Sequence, residues 1–239
     1  MNTIKINKGN TKLIAHRGLS GIETENTNSA FVAAGNRSYF GIETDIYRTS
    51  DGKFAINHDG NLKRISGDDI AVESVSLDTL QSVVLFDKLG GKLRRDIRVS
   101  SLEEYLFICK KYEKHAVLEL KSDFTDEEIE KIIEIIRSFD YLDHLTFISF
   151  KYSNLEKVRQ ILPTQSAQFL FSTWSEETFE KLLKAKIDID SNHNAITEEI
   201  IKRAHEAGLT VNVWTVDSPE RAELLASYGI DFITTNILE

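Results

Sequence analysis

The sequence predicts an α/β fold, a TIM (β/α)8 barrel, and three observations carry that reading. Short apolar, β-branched runs alternate with amphipathic stretches along the chain, the pattern of βαβ units around a parallel sheet. Eight such runs and seven helical stretches between them are found. The length, 239 residues, lies close to the ~250 typical of that barrel, which favours it over an open doubly wound sheet.

In chain order the strands fall at 13–16, 41–47, 116–121, 145–150, 168–171, 187–190, 210–215 and 231–234. The helices fill the gaps at 26–36, 101–112, 126–139, 153–162, 176–185, 197–206 and 219–228. Their ends carry the usual signals. Thr197 is followed by Glu198 and Glu199 in a first turn, and Gly208 follows that helix's end. Asp217-Ser218-Pro219 opens the last helix and Gly229 closes it. In the charged helix at 126–139, Ile129, Ile132, Ile133 and Ile136 fall on one face and are expected to pack inward. Between Tyr47 and Ser101 the chain is too long for a simple loop, and 54–57 reads as an extra short strand. A small insertion after the second strand, at about 53–100, is therefore expected. After the eighth strand too few residues remain for a full helix, so the last helix is expected to be truncated or missing. With 2 prolines, 12 glycines and no low-complexity tract, residues 1–239 read as one domain.

Composition narrows the function. The chain is 41% hydrophobic and 28% charged, which is ordinary for a globular protein. Asp plus Glu number 38 against 29 Lys plus Arg, a net charge of −9 that disfavours nucleic-acid partners. Cys109 is the single cysteine, so no disulfide forms within the chain, and its spacing with Leu102, Tyr105 and Leu106 makes it a core residue. No leader and no apolar run near the ~20 residues of a membrane helix are seen, which points to a cytoplasmic, reducing setting without a stable membrane anchor. A homodimer is expected on the base rate of isologous pairs alone.

Chemistry in such barrels sits at the carboxyl ends of the strands. The first strand ends Ile14-Ala15-His16-Arg17-Gly18, the second reads Gly41-Ile42-Glu43-Thr44-Asp45-Ile46, and the third reads Val117-Leu118-Glu119-Leu120-Lys121. Side chains two apart share a face, so Glu43 and Asp45 point into the barrel while Ile42, Thr44 and Ile46 point toward the helices. Three carboxylates converging on the mouth repel one another, and something positive is needed between them. One hard divalent cation, Mg²⁺ or Ca²⁺, satisfies that need, and the lack of a cysteine cluster argues against zinc. A purely structural network, with Glu43, Asp45 and Glu119 paired to Lys121 and Arg17, is the competing reading. His16 and His58 flank the carboxylates and are suited to moving protons near neutral pH. Arg17 and Lys121 are suited to neutralising phosphate oxygens.

These residues resemble the glycerophosphodiester phosphodiesterase family. The likeness runs through Ala15-His16-Arg17-Gly18, Glu25-Asn26-Thr27, Glu43-x-Asp45, Thr49-x-Asp51-Gly52, His58-Asp59 and Leu62-x-Arg64. It continues through Glu119-x-Lys121, Ser149-Phe150, Val213-Trp214-Thr215-Val216 and Ile233-Thr234-Thr235. The resemblance implies a barrel with a segment inserted after the second strand, and metal-dependent hydrolysis of a small-molecule glycerophosphodiester to glycerol 3-phosphate and an alcohol. It further implies that Glu43, Asp45 and Glu119 hold the cation and that His16 and His58 are general acid and base. Arg17 and Lys121 then contact the phosphate, and Trp214 lines the glycerol side. Two positions depart from the pattern: Thr24 replaces a usual proline, which is expected to loosen the loop after the first strand, and Asn236 replaces a common aspartate.

Two rival readings stand beside this one. A phospholipase D-like lyase would use a similar site but release a cyclic phosphate at membranes, and no exposed amphipathic or basic anchor is evident in the sequence. A non-catalytic phosphate-binding barrel would not need both histidines and all three carboxylates. The run from Asp188 to Asn194, with Glu199 at its twelfth place, imitates a calcium loop, but His193 stands where the turn requires glycine. Gly90-Gly91-Lys92 lacks the spacing of a nucleotide phosphate loop.

Overall fold

The computed structural model describes residues 2–239. Eight parallel strands close a barrel in the order β1 (Lys12–Ala15), β2 (Gly41–Arg48), β4 (His115–Leu120), β5 (Leu145–Ser149), β6 (Ala167–Phe171), β7 (Asp188–Asn192), β8 (Val211–Trp214) and β9 (Phe232–Thr235). Closure is made on both sides of β1, where Ile14 pairs with Gly41 of β2 and Lys12 pairs with Phe232 of β9. Helices α1 (Asn28–Gly35), α4 (Leu102–Lys111), α5 (Asp126–Ser138), α6 (Tyr152–Ile161), α7 (Glu176–Ala185), α8 (Glu198–Glu206) and α9 (Pro219–Ser227) alternate with these strands. Among the described residues no helix follows β9.

The boundary signals act where the sequence placed them, shifted by a residue or two. Thr197 and Ser218 are N-caps outside α8 and α9, with Pro219 in the first turn of α9. α1 starts at Asn28, two residues later than expected, because Thr27 caps it and Asn26 takes a left-handed φ of 58°. Ser101 with Glu104 and Thr125 with Glu128 form reciprocal capping boxes at the starts of α4 and α5. Ile129, Ile132, Ile133 and Ile136 of α5 are fully buried against the barrel, as is Cys109 of α4, whose thiol burial pushes well above its ordinary range. Residues 188–192 are strand β7, so the calcium-loop imitation has no helix–loop–helix behind it.

The inserted segment opens with β3 (Phe54–Ile56), antiparallel to β2 through Ile46–Ile56 and Arg48–Phe54. It continues through the short helices α2 (Lys63–Ser66) and α3 (Leu77–Ser82). Leu62, Val72, Leu80, Leu85, Ile97 and Val99 give it an apolar cluster of its own beside the main core. That anchoring holds His58, just past β3, over the barrel mouth. The expectation of no exposed amphipathic or basic anchor meets an exception here. Around the Gly90–Gly91 turn, Leu89 and Leu93 stand almost wholly exposed among Lys88, Lys92, Arg94 and Arg95. Three of these cations are engaged inward, Lys88 with the Ser20 carbonyl, Lys92 with Asp68, and Arg94 with Glu23 and Asp96.

Glu239 ties the two ends of the chain to the segment before β2. Its carboxylate accepts hydrogen bonds from Thr3 Oγ1 at 2.5 Å, from the Ser38 amide at 2.9 Å and from Ser38 Oγ at 2.8 Å, with Lys5 Nζ at 2.9 Å. Burial alone would raise this carboxyl, but these donors hold it at about 2 against an ordinary 4.5. A carboxylate depressed in the folded state stabilises the fold above the unfolded value, and that stabilisation is lost as pH falls toward the folded one. Glu239→Gln is expected to cost roughly 2 kcal/mol at pH 7 in urea unfolding, a gap that narrows once pH drops below about 4.5. A gap that widens on acidification would contradict this assignment.

Candidate active site

The alternation of β2 sends Glu43 and Asp45 into the barrel, and register sets Asp45 directly beside Glu119 on β4. All three are buried, and one carboxylate oxygen from each lies within 4.8 Å of the others. The loop after β1 is folded around them. Arg17, at φ 54°, donates its backbone N–H to Glu43 Oε2 at 2.8 Å, while its guanidinium meets Glu25 at 2.8 Å and Asp45 at 3.6 Å. Gly18 follows at φ 74°, and a Cβ there would fall 2.7 Å from the Ala30 backbone, so this close approach of loop to α1 requires glycine. Lys121 closes the other side, at 3.0 Å from Glu119 and 3.5 Å from Asp45.

These charges do not balance. Burial, with Asp45 and Glu119 as neighbours, pushes Glu43 well above its usual range. Burial and Asp45 likewise raise Glu119 despite Lys121. Asp45 goes the other way: burial opposes its ionisation, but Lys121 and Arg17 together hold it low. Pairing with Arg17 and Lys121, the competing reading, is thus present but incomplete, since Asp45 Oδ1 has no hydrogen-bond partner among the described residues. Three convergent carboxylates, and no sulfur among them, fit a hard divalent cation.

The two histidines reach the same cavity from different supports. A cavity of about 210 Å³ is lined by His16, Arg17, Glu43, His58, Glu119 and Trp214, with Ile148, Phe150, Leu170 and Asp190 across from them. Asp45 and Lys121 join this set through their ion pairs. His16 Nδ1 lies 2.8 Å from Asn236 Oδ1, and Asn236 Nδ2 donates to Asp217 Oδ2 at 2.5 Å. Because a carboxylate only accepts, the amide is oriented with its oxygen toward His16, and Nδ1 carries the proton. Burial and Arg17 lower His16 to about 4, so the ring is neutral at pH 7 with Nε2 as its free lone pair. His58 Nδ1 donates instead to a carboxylate, Asp59 Oδ1, at 2.7 Å. Asp59 is held by Arg64 at 2.6 Å, and Arg64 reaches Glu25, the partner of Arg17. Trp214 packs edge-on to Phe150 at 5.5 Å. A wider hollow of about 550 Å³ opens on the other side of His16 and Arg17, bordered by Glu25, Lys88 and Asp217.

The structure thus brings together all eight residues singled out from the sequence and adds supports that sequence reasoning did not assign. Asn26 bridges Asp45 Oδ2 and Thr44 Oγ1, each at 2.8 Å, so Thr44 on the outward face of β2 locks the loop that carries the site. Glu25, Asp59, Arg64 and Asn236 act similarly. The loop bearing Thr24, expected to be loosened, has a polar tie at that position. Thr24 Oγ1 donates to the Phe86 carbonyl at 2.8 Å, tying the loop to the insertion.

A closed (β/α)8 barrel with an acidic, imidazole-flanked cavity at its carboxyl rim defines a barrel enzyme. The particular kind follows from comparison. The glycerophosphoryl diester phosphodiesterase family profile matches residues 16–239, and the chain belongs to that family of phosphodiester hydrolases. It is 26% identical over 229 residues, 95% of this chain and 94% of the other, to a glycerophosphodiester phosphodiesterase of Caldanaerobacter subterraneus. A glycerophosphodiester phosphodiesterase structure from Parabacteroides distasonis superposes with a TM-score of 0.80 at 26% identity, covering 96% and 94% of the two chains. An Oleispira antarctica phosphodiesterase, solved with the product sn-glycerol-3-phosphate, gives a TM-score of 0.86 at 24% identity over 94% and 92%.

Replacing the neutral partner of His16 by an anion tests the tautomer argument. Asn236→Asp places a carboxylate on Nδ1 and favours the imidazolium, so the His16 pKa is expected to rise from about 4. Histidine proton NMR measures this, and a fall or no change would contradict the hydrogen-bond assignment.

Proposed function

We propose that this chain hydrolyses glycerophosphodiesters to glycerol 3-phosphate and an alcohol, with one divalent cation, Mg²⁺ or Ca²⁺, held by Glu43, Asp45 and Glu119. The observation that carries the reading is the carboxylate trio within 4.8 Å on a cavity wall shared with His16 and His58. When bound, the cation supplies neutralisation of the negative charge that develops on the phosphate oxygens. Arg17 and Lys121 bind the remaining phosphate oxygens, and Trp214 packs on the glycerol end. His16, neutral with Nε2 free, accepts the proton of the attacking O–H as its oxygen bonds to phosphorus. His58 gives a proton from Nε2 to the alcohol oxygen as its bond to phosphorus breaks. The partners support this division. Burial lowers both rings, but Asp45 and the Asp59 carboxylate on Nδ1 oppose this at His58, while His16 has only the Asn236 amide oxygen on Nδ1, so His58 is the better donor and His16 the better acceptor. The buried lone thiol accords with a cytoplasmic role, and among the described residues no helix is long and apolar enough to cross a membrane.

Two measurements test the reading. Both His16→Ala and His58→Ala are expected to lower kcat on glycerophosphocholine by ~10² to 10⁴. With a p-nitrophenyl leaving group, which needs no protonation, the His58→Ala loss should shrink while the His16→Ala loss persists. Equal losses of both variants on both substrates would reject the division of roles. Chelation is expected to abolish turnover and added Mg²⁺ or Ca²⁺ to restore it. Full activity after exhaustive chelation would rule out the cation.

A further inference from the structure

Across the cavity from these charges sits a carboxyl group that the mechanism does not use. Round the closed barrel β7 lies four strands from β2 in either direction, so Asp190 stands diametrically opposite Glu43 and Asp45. Asp190 is 1% exposed, lines the cavity beside Leu170, Ile148 and Trp214, and has no ion pair among the described residues. Its Oδ1 lacks any hydrogen-bond partner there. Its neighbour in register, Asn212, donates Nδ2 to Gln168 at 3.4 Å, accepts at Oδ1 from Thr234 and also hydrogen-bonds the Asp190 carboxyl, which leaves Oδ1 as the atom without a partner. A buried carboxyl oxygen without a partner is rare, because a desolvated polar group destabilises the fold unless something satisfies it. No structural contact accounts for Asp190 Oδ1. In a pocket with aromatic and aliphatic walls, a few convergent polar atoms fix the orientation of the ligand.

We propose that the Asp190 carboxyl is the specificity-determining contact for a free hydroxyl on the glycerol end of the substrate. The inference rests on the glycerophosphodiester reading above and extends it to a residue. A hydroxyl both donates and accepts, and so does a protonated carboxyl, the form that burial favours here by raising the group to about 8. Arg17 and Lys121 on the far wall take the phosphate, so a ligand spanning the cavity places its uncharged polyol end toward β7. A site built around a substrate hydroxyl discriminates against an analogue that lacks it, because the site's own polar atom is then left unpaired.

The test compares sn-glycerol 3-phosphate with n-propyl phosphate, the same monoester without its two hydroxyls, by titration calorimetry on the Mg²⁺-supplemented protein. The wild type is expected to bind glycerol 3-phosphate at least ~10-fold more tightly. Asp190→Leu should collapse that ratio toward one, and Asp190→Asn, which keeps a donor and an acceptor, should retain most of it. No preference in the wild type, or equal weakening of both ligands in Asp190→Leu, would overturn the proposal. So would a selective loss of phosphocholine binding, which would give the pocket to the departing alcohol instead. Turnover of glycerophosphocholine by the wild type is scored separately. Its absence would reject the proposed reaction, while the ratio of the two binding constants still decides the role of Asp190.

Discussion

Three carboxylates buried within 4.8 Å of one another are the constraint around which the rest of the mouth is arranged. Left alone, such a group would protonate or disrupt the barrel, since each desolvated charge is costly and each repels the others. The fold meets the constraint with geometry rather than with distance. Strand pairing fixes Asp45 beside Glu119, and the left-handed turn at Arg17 bends the chain back so that an amide and a guanidinium face the same cluster. Gly18 is the consequence of that bend, and Asn26 and Lys121 fasten its two sides. The residues nearest the cluster are therefore held by several independent contacts each, and the turn conformation at Arg17 persists because its surroundings over-determine it.

A second layer of support comes from outside the barrel. His58 belongs to the insertion, and its position over the cavity depends on a chain of alternating charges: Asp59, Arg64, Glu25 and Arg17. This chain joins the inserted segment to the loop after β1, and Thr24 adds a neutral tie to Phe86. The two histidines are consequently mounted differently. His16 is set by the barrel's own first and last strands through Asn236 and Ser20, whereas His58 is set by a segment with a separate apolar cluster. Small movements of the insertion would displace one imidazole without the other.

Much of this was legible in the sequence because two periodicities are strong. Alternation along β2 told which side Glu43 and Asp45 take, and helical spacing told which isoleucines of α5 are buried. Cap residues located helix starts to within a residue or two. What was not legible depends on contacts between distant segments. Nothing local distinguishes Asn26 from an ordinary loop asparagine until Thr44 and Asp45 are placed on either side of it. The proline missing at Thr24 suggested a looser loop, yet a hydroxyl gained there finds the Phe86 carbonyl 62 residues away. Nothing local marks Leu89 and Leu93 as exposed until the left-handed Gly90–Gly91 turn between them is seen to stand clear of the insertion's apolar cluster.

The interior of the barrel is also polarised from one wall to the other, and this gives the site a direction. Arg17, Lys121 and Arg64 all lie on the side of β1, β2, β4 and the insertion. The side built from β5 to β8 offers Ile148, Phe150, Leu170 and Trp214, with Asp190 and, among the described lining residues, no cation. A ligand with one anionic group and one neutral end meets both cations on one side only, because the opposite wall offers an apolar surround and no cation among the described lining residues to compensate a desolvated anion. A ligand with a cation at its other end meets weaker attraction near β2 than the acidic trio alone would exert, since Arg17 and Lys121 shield it. The cavity thus has a cationic side and an apolar side, and both imidazoles line it together with the carboxylates of β2 and β4.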